Sequence, residues 1–167
     1  IMRSIFKLCG SVIVAASILV SALFAQELRP VLSTASAKAI VAGCEAYARG
    51  KKIDVAVAVT GPGDMLVAFQ RMDGAVPGAG DVAIWKAISS SIFGLPTKRL
   101  ATIAEDDPAV AEVPKVAALE GGEAIYTQDG VLIGGVGVSG ATAAEDAACA
   151  QAGIEEAQLK LQNISKS

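Results

Sequence analysis

The sequence predicts an α+β domain: an antiparallel sheet of four to five strands flanked by helices, in the order helix, hairpin, helix, hairpin, helix. Two hairpin signals and the helical periodicity around them carry that prediction. Between Ile53 and Thr60, Asp54, Ala56 and Ala58 alternate with Val55, Val57 and Val59; after Gly61-Pro62-Gly63-Asp64 a second apolar run extends from Met65 to Arg71. Alternation, a four-residue turn and a second run make a hairpin. Residues 124–127 and 131–139 repeat the arrangement about Gln128-Asp129-Gly130, where Asp-Gly favours a tight turn. Hairpin strands pair antiparallel, and the helix-periodic segments around them supply a covering layer.

The first 25 residues differ from the rest. Arg3 and Lys7 precede an uncharged apolar run from Leu8 to Phe24, and Ala22 and Ala25 offer small-residue cleavage points ahead of the polar Gln26-Glu27. This three-part pattern is that of a secretory signal peptide; a single membrane anchor is the alternative, the run reaching only the lower limit for a span, and cleavage is favoured because the small-residue end is followed at once by Gln26-Glu27. The expected organisation is therefore a signal peptide at 1–25 and a single domain at 26–167, periplasmic or secreted. Cys9 begins the apolar run rather than ending it, so it is not read as a lipid-modified cysteine.

In the domain, Ser33 is a suitable N-cap for a helix reaching about Gly50, with Lys38, Glu45 and Arg49 on one side and Ala39, Ile40, Gly43 and Tyr47 on the other. The first hairpin follows. Its second strand exits through Gln70-Arg71 into Met72-Asp73-Gly74, and a glycine-rich loop ending at Gly80 lets the backbone approach a neighbour closely before a helix from Asp81 to about Phe93. Ile84, Trp85, Ile88 and Ile92 form the expected core stripe of that helix. Lys86, Ser90 and Phe93, at i, i+4 and i+7, form an outward row that is either a subunit contact or the wall of a site. Gly94-Leu95-Pro96 ends the helix, and Thr97 is the expected N-cap of a shorter one to about Glu105. Residues 106–122 read as irregular. After the second hairpin, Thr142 and Glu145 fit a capping box, and the last helix is expected to run to about Gln162, burying Ala147, Ala150, Ile154, Ala157 and Leu161.

Composition excludes several functions. The chain has no histidine, which removes Ser-His-Asp and Cys-His catalysis, HExxH zinc sites and imidazole ligation. Its net charge of −3 becomes −5 once Arg3 and Lys7 are removed with the leader, and with no basic run it is not expected to bind nucleic acid. Gly135-Val-Gly137-Val-Ser-Gly140 fits GxGxxG, but the chain finishes with the following helix instead of completing a βαβ unit, so these glycines are read as a bulge or a close helix contact. Ser139 lacks a base and is read as a strand end, not a nucleophile. Asp106-Asp107 and Glu155-Glu156 are read as solvated surface. Cys149 falls roughly 120° from the core stripe of the last helix; the Cys44 and Cys149 vectors diverge on this reading, which disfavours a disulfide. Met72-Asp73-Gly74 next to Arg71 is either core packing with an Arg-Asp pair or the lining of a pocket.

Together, Val55-Ala-Val-Ala-Val59, Phe69-Gln-Arg-Met-Asp-Gly-Ala75, Lys86-Ala87, Phe93-Gly-Leu-Pro-Thr97, Asp129-Gly130, Gly134 to Gly140 and Glu145-Asp-Ala-Ala-Cys-Ala-Gln-Ala-Gly153 resemble the GlcG/HbpS-like proteins. These carry the haem-degrading domain also found at the C-terminus of PduO-type proteins, and the resemblance covers nearly all of the chain after the leader. It implies a profilin-like fold, homo-oligomers and, for several members, haem binding; exported relatives sequester haem or iron, and some inform a membrane sensor kinase. Some relatives ligate haem iron through histidine, which this chain cannot. The resemblance therefore implies a non-catalytic haem or tetrapyrrole binder for sequestration or sensing, with Met72, Met65, a tyrosine, a lysine or the hydroxyl of Thr97 as axial ligand, or none, and Arg71 or Lys86 on the propionates. The expected ligand-binding set is Arg71, Met72, Asp73, Lys86, Ser90, Phe93 and Thr97. The alternatives are an organic-acid module, for an acid such as glycolate, with Arg71 and Lys86 as a carboxylate clamp, and an oligomeric assembly module.

Overall fold

The computed structural model describes residues 28–161; the expected signal peptide lies outside them. The elements are α1 (Thr34–Lys51), β1 (Ala56–Thr60), β2 (Leu66–Arg71), α2 (Ala79–Phe93), α3 (Thr97–Asp106), a 3-10 turn (Pro108–Glu112), β3 (Gly122–Tyr126), β4 (Leu132–Ser139) and α4 (Ala143–Glu156). The two hairpins join through β1 and β4 into one sheet of order β2-β1-β4-β3, every neighbouring pair antiparallel. The α+β class expected from the hairpins is the one observed, with four strands.

Strand alternation sorts the sheet into two unlike faces. Val55, Val57, Val59, Val136, Val138 and Ile125 share one core with Ile40, Cys44 and Ala48 of α1 and Ala150 and Ile154 of α4. Ala56 and Ala58 point the other way and pack with Ala79, Ala83 and Ala87 of α2. The β-partners of Ala58 and Thr60 are Gly137 and Gly135, so the face beneath α2 consists of small residues. A Cβ on Gly137 would fall 2.1 Å from the Ala83 carbonyl oxygen, and one on Gly135 2.3 Å from that of Ala87. The helix backbone lies directly on the strand, so of the two readings of the GxGxxG segment, a bulge or a close helix contact, Gly135 and Gly137 follow the second.

That contact overturns the expected orientation of α2. Trp85 is 46% and Ile92 54% exposed, Ile84 is half-buried, and only Ile88 of the expected stripe is buried; Ala83, Lys86, Ala87, Ser90 and Ser91 face inward instead. A helix seated on glycine has no room for isoleucine or tryptophan beneath it, and dispersion gained by close backbone approach replaces the burial of large side chains.

Three smaller expectations change as well. Cys44 and Cys149 form a disulfide between α1 and α4, with Cα atoms 4.6 Å apart. α4 is covered by both α1 and the sheet, so its buried arc, which includes Asp146, Cys149 and Gly153, is wider than its apolar stripe. Pro96, not Thr97, occupies the N-cap of α3. α4 stops at Glu156, and the chain turns at Gln158 (φ 56°) so that Lys160 pairs with Tyr126. The Ser33 cap and the Thr142–Glu145 capping box are present as expected.

Candidate functional site

The expected site residues fall into two groups at one end of the sheet. Arg71 pairs with Ala56, Ala56 with Ser139, and Gly122 with Gly137, so the end of β2 and the start of β3 occupy the same end but opposite edges. Three strand spacings separate them, about 14 Å.

On the β2 edge, Arg71, Met72 and Asp73 line an open pocket of about 250 Å³ with Glu45, Arg49, Asp54 and Gln70. The Met72 N–H still donates to Val55 O at 3.0 Å, and the Ala75 N–H then donates back to Met72 O at 3.0 Å, which turns the chain. The Asp54 side chain fills the space beside Gly74, where a Cβ would fall 2.4 Å from Oδ2. Arg71 donates to the carbonyl of Ala75, and Arg49 pairs with Glu45 at 3.3 Å. Met72 is half-buried and packs against the α1/α4 core.

Toward the β3 edge, Lys86, Ser90 and Thr97 surround Gly121-Gly122 rather than an open cavity. A Cβ on Gly121 would fall 2.5 Å from Lys86 Nζ, and one on Gly122 2.7 Å from Thr97 Cγ2 and 2.8 Å from Ser90 Oγ. Lys86 does not point outward: its side chain is 1% exposed, with Nζ 2.9 Å from Asp146 Oδ2 and 2.7 Å from Val138 O. Burial raises the Asp146 carboxyl above its ordinary range, opposed by the Lys86 bond and charge and by the Ala141 N–H. Thr97 Oγ1 accepts the Gly122 N–H at 2.8 Å, which fixes α3 to the start of β3. Ser90 Oγ is enclosed without a hydrogen-bond partner. Phe93 stands apart, 45% exposed at the end of α2. The Arg71–Lys86 clamp is therefore not assembled, and two members of the expected outward row are interior.

Sequence reasoning missed two features. Asp146 follows the capping Glu145, and that first-turn acidic pair was its only signal. The second is a larger cleft of about 370 Å³ lined by Pro96, Lys98, Arg99, Thr102, Glu120, Glu123, Gln151 and Leu161. Glu123, 7% exposed, accepts a 3.0 Å hydrogen bond from Gln151 Nε2. Desolvation raises its pKa, and the Gln151 bond pulls it partly back. Lys98 and Glu120 pair at 3.1 Å.

Residues 32–155 match the family model for the haem-degrading protein HbpS-like family. The chain belongs to the HbpS-like family. A double mutant of Streptomyces reticuli HbpS is similar at 27% identity over 78% of this chain and 89% of that one, with a TM-score of 0.74. A PduOC–haem complex is similar in fold at 22% identity over 80% and 100% of the two chains, TM-score 0.74. Klebsiella pneumoniae ORFY is also similar in fold, at 22% identity over 80% and 95%, TM-score 0.76. No curated protein matches the chain.

HbpS-like membership raises haem, and the side chains test the fit. Lys86 is held by Asp146 and Val138, Thr97 by Gly122, and the Tyr126 hydroxyl donates to Gly94 O at 2.8 Å. Met72 is packed against the core, and Met65 is 63% exposed in the β1–β2 turn. The 250 Å³ pocket sets three carboxylates against two guanidinium groups, a poor surface for an apolar macrocycle with anionic propionates. These residues do not fit a haem enclosed within one chain and ligated from its interior.

Proposed function

We propose that the protein is a non-catalytic haem or tetrapyrrole binder that takes its ligand on an open apolar surface, for sequestration or sensing outside the cytoplasm. Family membership across the domain supports the ligand class. The observation that carries the mode of binding is the outward face of α2: Trp85 and Ile92, two turns apart and so on one line of the helix, are each about half exposed. An indole beside an aliphatic side chain offers a macrocycle a flat apolar surface to stack on. Export is supported by the Cys44–Cys149 disulfide, a bond that persists in oxidising compartments, and by the sequence pattern of residues 1–25. The same face supports association of copies into a homo-oligomer, with a membrane sensor kinase as a further partner.

Titration with haemin tests the proposal. A saturable Soret shift that is lost in Trp85→Ser and kept in Met72→Ala is expected. No shift, or one that depends on Met72 and not on Trp85, contradicts it.

A further inference from the structure

The cleft between α3, β3 and α4 has no part in the proposal above, yet it is larger than the Arg71–Asp73 pocket and carries both charged and apolar lining. Arg99 is exposed and makes no side-chain hydrogen bond or ion pair among the described residues. Its planar guanidinium presents paired N–H donors, the geometry that takes a carboxylate in two parallel hydrogen bonds. Across the cleft, Gln151 Nε2 spends one donor on Glu123 Oε1, leaving the second Glu123 oxygen and the Gln151 carbonyl without a protein partner among the described residues. Ser90 Oγ is the only fully enclosed side-chain atom without a partner among those residues, so neither of these two oxygens is fully enclosed, and both residues line the cleft. Either one accepts the single proton of a hydroxyl group. Pro96 and Leu161 add apolar wall, and about 370 Å³ falls within the range of small-molecule sites.

We infer that this cleft binds a hydroxy-carboxylic acid with an apolar body: carboxylate on Arg99, hydroxyl on the Glu123–Gln151 pair, and the body against Pro96 and Leu161. Glu123 is placed by the strand itself. It sits opposite Val136 in the β3–β4 ladder, on the sheet face covered by α4, so its carboxyl meets Gln151 while α3 is pinned nearby by the Thr97–Gly122 bond. Lys98 and Glu120, paired at 3.1 Å, offset each other and leave Arg99 and the Glu123 carboxyl as the other charged groups of the lining.

Isothermal titration of the domain with 3-phenyllactate, and with 3-phenylpropionate as the analogue lacking the hydroxyl, tests the inference. Phenyllactate should bind at least tenfold more tightly than phenylpropionate. Arg99→Gln, a change at an exposed position, should weaken phenyllactate tenfold or more, and Glu123→Gln should narrow the preference between the two acids to less than threefold. Amide NMR shifts should centre on Thr102, Glu123 and Gln151. Absence of binding, equal binding by Arg99→Gln, or shifts centred on Asp54 and Asp73 would overturn it. The haemin titration is independent: Arg99→Gln should leave it unchanged, so either reading can fail alone.

Discussion

The ammonium of Lys86 on α2 lies 2.9 Å from the carboxylate of Asp146 on α4, and the two side chains are 1% and 3% exposed. The pair ties together helices on opposite faces of the sheet, passing the end of β4, where Lys86 also donates to Val138 O. Removing one partner leaves an uncompensated buried charge, which costs about 3–5 kcal/mol. Lys86→Met and Asp146→Asn should each lose roughly that much in urea unfolding, and the double variant should lose less than the sum. Losses near zero for both would mean that the pair is not formed.

The glycines under α2 give a second prediction. Gly137→Ala places a methyl group 2.1 Å from the Ala83 carbonyl oxygen, and backbone on both sides cannot yield without lifting the helix. Overpacking of this kind costs about 1–3 kcal/mol or more. Gly50→Ala is the control: a Cβ there meets nothing within 4 Å, and within α1 the change should stabilise by about 1 kcal/mol. Thermal melts of the two variants should move in opposite directions.

The disulfide joins positions 105 residues apart. Bridges closing loops of this length stabilise mainly by restricting the unfolded chain, typically by about 2–5 kcal/mol. The Cys44→Ala/Cys149→Ala variant should fall by that amount in guanidinium unfolding. Unchanged stability, with free thiols detected in the unfolded wild type, would show that the bond does not form.

Burial raises the carboxyls of both Glu123 and Asp146. A raised folded pKa means that the folded state holds the proton more tightly than the unfolded state. The associated stability is full below the ordinary carboxylate values, about 4, and is lost as pH rises through the raised ones. Glu123→Gln should therefore flatten the decline in stability between about pH 4 and neutrality. A decline of the same slope in the variant would assign it elsewhere.

Much of the fold was legible because strand period and turn chemistry are local. Val55 to Val59 announced both sheet faces, and Asp129-Gly130 announced the second turn. The orientation of α2 was not legible, since hydrophobic periodicity assumes that large side chains face the core. Gly135 and Gly137 lie more than forty residues further along the chain, and only the β1–β4 register brings them beneath Ala83 and Ala87. The same periodicity puts Lys86 and Ser90 on an outward row and Trp85 and Ile92 in the core, whereas Lys86 and Ser90 are buried and Trp85 and Ile92 exposed. Arg71, Met72 and Asp73 line one pocket because they adjoin in sequence. Glu123 and Gln151, which meet only across β3 and α4, were not seen.

The most direct test of haem binding on an open surface is titration of the wild type, Trp85→Ser and Met72→Ala with haemin, followed in the Soret band. The account predicts saturable shifts for wild type and Met72→Ala and a loss of at least tenfold in affinity for Trp85→Ser. A wild-type titration indistinguishable from free haemin, or full binding by Trp85→Ser, would contradict it.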